Sequence, residues 1–285
     1  MPNSKDVFQW VVKQITLKES FDEINSIVYL LLKKVLNLSR SQIIASQFVE
    51  NFNEENLLPF IQRINQGEPI QYIIGNQEFY GRSFLVNPAV LIPRPETELL
   101  VEVALSHAKT LDNEKINILD VGTGSGCIPI TMQLENNLIV GVGIDISAAA
   151  VEVANENNKI HETSIQFEVS DALNDDWPEE TFDLILSNPP YITEKEKKEM
   201  KSNVLNYEPH TALFVSNNDP LLFYKAIASK SSFRLKPGGL LAFEINESYG
   251  KEMINLLNDL HFESIQLHKD INGKDRVISA LRAHT

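Results

Sequence analysis

Asn188-Pro189-Pro190-Tyr191 places an amide, bare carbonyls and an aromatic ring at one point of the chain. Each proline fixes its φ near about −65° and lacks an N–H donor. The residue before each proline is pushed to an extended conformation. The preceding run, Phe182-Asp183-Leu184-Ile185-Leu186-Ser187, reads as a buried strand. A rigid turn therefore holds hydrogen-bond acceptors at the C-terminal edge of a strand. Such a turn suits a flat –NH2 group, as on a carboxamide or a nucleobase, with the ring of Tyr191 to stack on it. The same four residues also serve as a plain proline turn, and the tetrapeptide alone does not separate the two.

A second feature is Gly122-Thr123-Gly124-Ser125-Gly126, directly after the apolar run Ile116–Val121. Glycine lets backbone pass close to a ligand and turn sharply into a helix. Asp145 ends the next strand-like run, about 20 residues on, where an acid accepts two hydrogen bonds from ribose hydroxyls. Together these predict a site for an adenosine-containing cofactor. The spacing is Gly-x-Gly-x-Gly, not the Gly-x-Gly-x-x-Gly of dinucleotide folds, which disfavours an NAD-dependent oxidoreductase. Cys127 opens the following helix. There a helix dipole can lower a thiol pKa, or the residue is simply small enough to pack.

The elements that must position these groups are legible in outline. Strands are predicted at 116–121, 138–144, 165–169, 182–187 and 239–245, with helices near 127–135 and 147–158. That alternation predicts a doubly wound, mostly parallel α/β sheet. Residues 264–269 and 276–281 flank Asn272-Gly273, the signature of an antiparallel hairpin at the sheet edge. Before residue 72, apolar residues recur at helical spacing (Val7, Val11, Ile15; Val28, Leu31, Leu32, Val35), and Ser20–Glu23 and Ser39–Gln42 fit capping boxes. The expected organisation is a small helical domain over 1–72, a β-hairpin linker over 73–95 and an α/β domain over 96–285. Ile92–Glu98 opens a further helix, with Pro95 suited to its first turn.

Composition narrows the classes. The 285 residues carry a net charge of −14, divided unevenly. Residues 1–85 hold 8 basic and 9 acidic side chains, the remainder 17 and 30. Nucleic-acid backbones are bound by Lys and Arg, so direct nucleic-acid binding is not expected. No apolar stretch approaches the roughly 20 residues of a membrane span, and no signal peptide is evident. One cysteine and six scattered histidines argue against a disulfide or a metal site. A cytoplasmic address is expected.

The glycine loop, preceded by Asp120, resembles motif I of the class I methyltransferases. Asp145 then matches that family's ribose acid and Asp171-Ala172 its adenine-edge position; Asp171 alone reads first as a helix cap or loop acid, and its register with the other two sites reverses that reading. Asn-Pro-Pro-Tyr resembles the signature of enzymes that methylate planar nitrogens. Gly67–Gly75, Glu78-Phe79-Tyr80, Ile92–Glu98, Glu208–Leu213 and Asp270–Val277 together look like the release-factor glutamine methyltransferases. The resemblance covers nearly everything after residue 65. It implies a Rossmann-like class I methyltransferase sheet with a C-terminal antiparallel hairpin and a helical substrate-recognition domain. It implies S-adenosylmethionine as cofactor, held by Gly122, Thr123, Gly124, Ser125, Gly126, Asp145, Asp171, Ala172 and Asn188. It implies N5-methylation of the glutamine in the Gly-Gly-Gln motif of peptide-chain release factors 1 and 2, with Asn188, Pro189, Pro190 and Tyr191 around that amide. Arg94, Glu96 and Glu98 are either pocket walls or structural charges. The competing readings are a DNA adenine-N6 methyltransferase, disfavoured by the acidic charge, and a non-catalytic scaffold, which would have no need of intact glycines, Asp145 and Asn-Pro-Pro-Tyr.

Overall fold

The computed structural model describes residues 2–50 and 52–284. The chain divides into two compact units. The first runs to Asn76 and also takes in Lys201–Tyr207; the second holds Gln77–Met200 and the chain from Glu208 onward. The split therefore falls a few residues after 72, and 201–207 lies outside the unit that holds the rest of 96–285.

The first unit contains α1 (Ser4–Gln14), α2 (Phe21–Leu36), α3 (Arg40–Ile44), α4 (Leu58–Asn65) and α5 (Ile70–Ile74). Their apolar stripes converge, burying Val7, Val11, Val28, Leu31, Leu32, Ile43, Ile61 and Ile64. The capping box is complete at α3, where Ser39 and Gln42 bond reciprocally. At α2 the Ser20 hydroxyl accepts from Glu23 N at 3.2 Å, one half of the expected box. Within this unit Tyr207, from the late segment, donates its hydroxyl to Gln66 O at 3.1 Å.

The second unit begins inside a hairpin, β1 (Asn76–Phe79) and β2 (Arg82–Leu85). Tyr80 (φ 51°) and Gly81 (φ 71°) form its two-residue turn, the left-handed pair that matches a hairpin's twist. Phe79 and Phe84 are fully buried, edge to face, with ring centroids 6.1 Å apart. The hairpin is thus a packed part of the α/β core as well as a connection. A single turn at Pro95–Thr97 then leads into α6 (Glu98–Ala108).

The sheet is built from β3 (Ile116–Val121), β4 (Ile139–Asp145), β5 (Gln166–Val169), β6 (Phe182–Ser187), β9 (Leu235–Glu244), β10 (Phe262–Lys269) and β11 (Asp275–Arg282), with a separate two-stranded ribbon of β7 (Ile192–Thr193) and β8 (Phe214–Val215). Its order is β10-β11-β9-β6-β3-β4-β5. β9, β6, β3, β4 and β5 run parallel, while β11 and β10 are the predicted antiparallel hairpin, with β10 at the edge. Helices α7 (Cys127–Glu135), α8 (Ala148–Ile160), α9 (Ser202–Tyr207), α10 (His210–Leu213), α11 (Leu222–Arg234) and α12 (Gly250–Asp259) complete the chain.

Alternate residues of each strand feed opposite cores, because successive side chains point to opposite faces. Ile118, Leu184, Leu186 and Ala242 pack with α6 and α7. Leu119, Ile185, Leu241 and Phe243 pack with α11 and α12. β6 is buried at every position, as a central parallel strand should be. The chain moves outward from β3 to β4 and β5, then returns beside β3 as β6. That reversal opens a crevice beyond the C-terminal ends of β3 and β6, where ligands bind in such sheets.

One buried amide ties three parts of this unit together. Asn157 of α8 is fully buried. Its Nδ2 donates to Leu85 O at 3.1 Å and Ser125 O at 2.9 Å, and its Oδ1 accepts from Leu85 N at 2.7 Å. Asn157→Leu leaves three backbone groups without partners. Each such group costs about 1–3 kcal/mol, so urea unfolding should show a loss of about 3 kcal/mol or more.

Candidate functional site

A cavity of about 350 Å³ lies at this crevice. Its walls include Gly122, Thr123, Gly124, Ser125, Asp145, Asp171, Ala172, Asn188, Pro189 and Pro190. Strand register explains the convergence. Val121 pairs with Ile144 on one side and with Ser187 on the other. The glycine loop, Asp145 and Asn188 therefore leave three neighbouring strands at the same level.

Gly122 and Gly124 have φ of 76° and 55°, in the left-handed region where a side chain is strained. Gly126 does not line the cavity. It opens α7 at φ 77°, and a Cβ there would sit 2.9 Å from the Phe167 ring and 3.2 Å from Ala154. Its part is close packing of α7 and α8 behind the loop. Cys127 lines the cavity wall but is buried, and burial pushes its thiol up to about 12. The dipole reading therefore loses to packing: the thiol stays neutral.

Asp145 accepts from Gly124 N through one oxygen and from Ser147 N through the other, both at 2.9 Å. Burial raises its pKa, and those two amides hold the rise back. Each oxygen keeps a further lone pair for a ligand hydroxyl. Ile146, 59% exposed, supplies an apolar wall beside it. Asp171 is committed to its own loop, accepting from Leu173 N and Asn174 Nδ2 at 2.8 Å each. Those bonds lower its pKa, led by the Leu173 amide. The loop-cap reading of Asp171 thus describes its visible bonds, while its position still borders the cavity. The residues present fit an adenosine group: an acid with spare acceptors, an apolar wall and a glycine backbone in left-handed geometry.

Asn188 donates from Nδ2 to Thr97 Oγ1 at 3.2 Å. Its Oδ1 has no partner among the described residues. Thr97 Oγ1 in turn donates to Glu244 Oε2 at 2.6 Å, and Tyr191 donates its hydroxyl to Glu244 Oε1 at 3.0 Å. Thr97 and Glu244 are 3% and 1% exposed, so this chain of bonds is dry. Burial raises the Glu244 pKa, while Thr97, Tyr191 and the Arg276 charge oppose the rise. Burial and the adjacent Glu244 push the Tyr191 hydroxyl far up. Tyr191 is not among the lining residues; its ring packs against the α11–α12 core. This differs from the expectation of a ring facing the bound amide. The reason is that its hydroxyl answers a buried carboxylate.

Of the Ile92–Glu98 charges, only Arg94 borders the cavity. Its Nη2 bonds both oxygens of buried Glu208, at 2.6 and 2.7 Å. Glu98 accepts from Tyr80 N at 2.8 Å and serves the hairpin turn. The sequence reading assigned no role to Thr97 or Glu244. An acid closing the apolar run Leu240–Phe243, beside the strand that ends in Asn188, was the available signal for Glu244.

Asp120, immediately before the glycine loop, is fully buried and neither oxygen has a partner among the described residues. Burial pushes its carboxyl up to about 7, against a smaller opposing pull from the Thr123 hydroxyl.

The sheet order, the antiparallel end and the loop–acid–strand-end constellation define a class I methyltransferase fold. Solved structures share it. A methyltransferase from Pyrococcus furiosus superposes with a TM-score of 0.51 at 17% identity, covering 79% of this chain and 98% of that one. A Thermus thermophilus 16S rRNA N2 G1207 methyltransferase in complex with AdoMet and guanosine gives 0.52 at 20% identity, covering 73% and 49%. Two family models match in tandem: the PrmC N-terminal domain over residues 6–75 and the methyltransferase small domain over 96–210. Relatives named release factor glutamine methyltransferase are 40% identical in Flavobacterium psychrophilum, over 92% of this chain and 94% of the relative, and 44% identical in Bacteroides thetaiotaomicron, over 80% and 81%. The chain belongs to the release factor glutamine methyltransferase family. No helix among the described residues is long and apolar enough to cross a membrane.

Asp120 gives a pH test. Unfolded, its carboxyl ionises near 3.8; folded, near 7. Between these values the folded chain keeps a proton that the unfolded chain has released, so stability falls as pH rises through that window. Asp120→Asn carries no such proton. Its stability relative to the parent should rise from pH 4 to pH 8 in urea titrations; a pH-independent difference would refute the raised pKa.

Proposed function

We propose that the chain transfers a methyl group from S-adenosylmethionine to the side-chain nitrogen of the glutamine in the Gly-Gly-Gln motif of peptide-chain release factors 1 and 2. S-adenosylmethionine, when bound, supplies an electrophilic methyl on a sulfonium. In this reading Asp145 accepts hydrogen bonds from the ribose hydroxyls, Ile146 and Ala172 flank the adenine, and the Gly122–Ser125 backbone passes beside the donor.

The observation that carries the reading is the orientation of Asn188. With Nδ2 committed to Thr97, the Oδ1 left without a partner is an acceptor at a cavity wall. The Pro189 carbonyl lies one residue on, in a turn with no proline N–H to compete for it. A carboxamide nitrogen is a poor nucleophile because its lone pair is delocalised into its carbonyl. Two acceptors facing its two N–H bonds orient it and favour positive charge developing on nitrogen. No general base is assigned, since the proton can leave after transfer. Pro190 walls the substrate side, and Tyr191 steadies the turn from behind.

The helical unit is assigned to recognition of the protein substrate. Lys201–Tyr207 supports this, because the chain between cavity residues Pro190 and Pro209 passes through that unit's sequence. The chain's deficit of positive charge supports a protein substrate over DNA.

The decisive experiment offers release factor and DNA in parallel with S-adenosylmethionine and locates any added methyl by mass spectrometry. A methyl on the Gly-Gly-Gln glutamine is expected; methylated DNA with an unmodified release factor would overturn the reading. Asn188→Ala should reduce turnover by at least about 100-fold with cofactor affinity little changed. Asp145→Ala should weaken cofactor binding by about tenfold or more in calorimetry, the scale of one or two lost charge-assisted hydrogen bonds.

A further inference from the structure

We infer that Glu244 is a positioning residue which, through Thr97, determines which end of the Asn188 amide faces the substrate. The inference rests on the role proposed for Asn188 and extends it.

An asparagine amide has two nearly isosteric ends with opposite chemistry. Presented as Oδ1 it accepts from an –NH2 group; presented as Nδ2 it repels one. Sterics do not choose between these ends, so a hydrogen-bond partner must. The immediate partner of Asn188 is the Thr97 hydroxyl, at 3.2 Å from Nδ2. A hydroxyl both donates and accepts, so by itself it tolerates either end. The ambiguity is removed one bond further back. A carboxylate oxygen without a proton only accepts, and the Thr97 hydroxyl donates to Glu244 Oε2 at 2.6 Å. Thr97 is then left with lone pairs alone toward Asn188, and those select Nδ2. Oδ1 is turned the other way.

The geometry that brings these groups together is built into the sheet. Ser187 of β6 pairs with Phe243 of β9 in parallel register, so Asn188 and Glu244 occupy the next rung of adjacent strands. Thr97 comes from the turn ahead of α6. The second oxygen of Glu244 fixes Tyr191, three residues after Asn188, and the Glu244 carbonyl accepts from the Tyr224 hydroxyl at 3.1 Å. One carboxylate therefore holds both ends of the Asn188–Tyr191 turn. A buried acid is costly unless paired, and its two visible side-chain partners both lead to that turn.

The test compares Thr97→Val, Thr97→Ser, Glu244→Gln, the Thr97→Val/Glu244→Gln pair and Asn188→Ala in methyl transfer to intact release factor. Thr97→Val keeps the shape and removes the relay; Thr97→Ala carries the same test should the valine variant not fold. Thr97→Val and Glu244→Gln should each lower kcat by about 10–100-fold, the scale seen when outer partners that orient a metal ligand are removed. The KM for S-adenosylmethionine should stay within about twofold. Thr97→Ser should recover activity to within about threefold of the parent. The paired variant should be little worse than Glu244→Gln, because both changes release the same amide. A Thr97→Val enzyme with parental kcat, beside an inactive Asn188→Ala enzyme, would overturn this inference and leave the proposed function standing. So would an inactive Thr97→Ser variant, which would mark Thr97 as packing. An active Asn188→Ala enzyme would instead remove the reading on which the inference depends.

Discussion

The constraint on which the molecule depends is the register of three parallel strands. β3, β6 and β9 end at one level, and each ends in a different chemistry: a glycine loop, an amide and a carboxylate. Because parallel strands are joined by helical crossovers, these ends come from distant parts of the chain and meet only if the pairing is correct. A one-residue slip in β6 would turn Asn188 to the opposite face. The two hydrophobic cores, each fed by alternate residues of the same strands, penalise any such slip. The packing of the sheet and the geometry of the site are therefore one specification.

Much of this was legible in sequence because strand, glycine loop, helix and acid recur at spacings that backbone geometry imposes. The five central strands, α7, α8 and the terminal hairpin lie where apolar runs and turn residues placed them. Gly126 was legible as a residue but not in its role, since its duty is set by Phe167, some forty positions away. Tyr191 was read as a stacking surface because an aromatic beside a carboxamide site invites it. Its actual partner, Glu244, becomes its neighbour only through the β6–β9 pairing. Thr97 and Asn157 escaped for the same reason. Each acts across sequence separations of 91 and 72 residues, and neither carries a local pattern.

The site is also a study in how acids are used in an acidic chain. Asp145 is half-buried and answered by two backbone amides. Glu244 is buried and answered by two hydroxyls with Arg276 nearby. Asp120 is buried with neither oxygen bonded among the described residues, and burial drives its carboxyl up to about 7. Hydrogen-bond donors oppose the rise that burial imposes on Asp145 and Glu244.

The late segment Lys201–Tyr207 alters how the two units relate during synthesis. The helical unit is not finished when its first stretch of chain has emerged from the ribosome. It lacks the piece that brings Tyr207 to Gln66 until β3, β4, β5 and β6 of the sheet have also been made. Domains ordinarily complete in order from the N-terminus; here completion is interleaved. The same connectivity means that no single cut yields two whole parts, so the helical unit cannot be obtained intact as one contiguous fragment, nor exchanged between relatives by a simple fusion at residue 76.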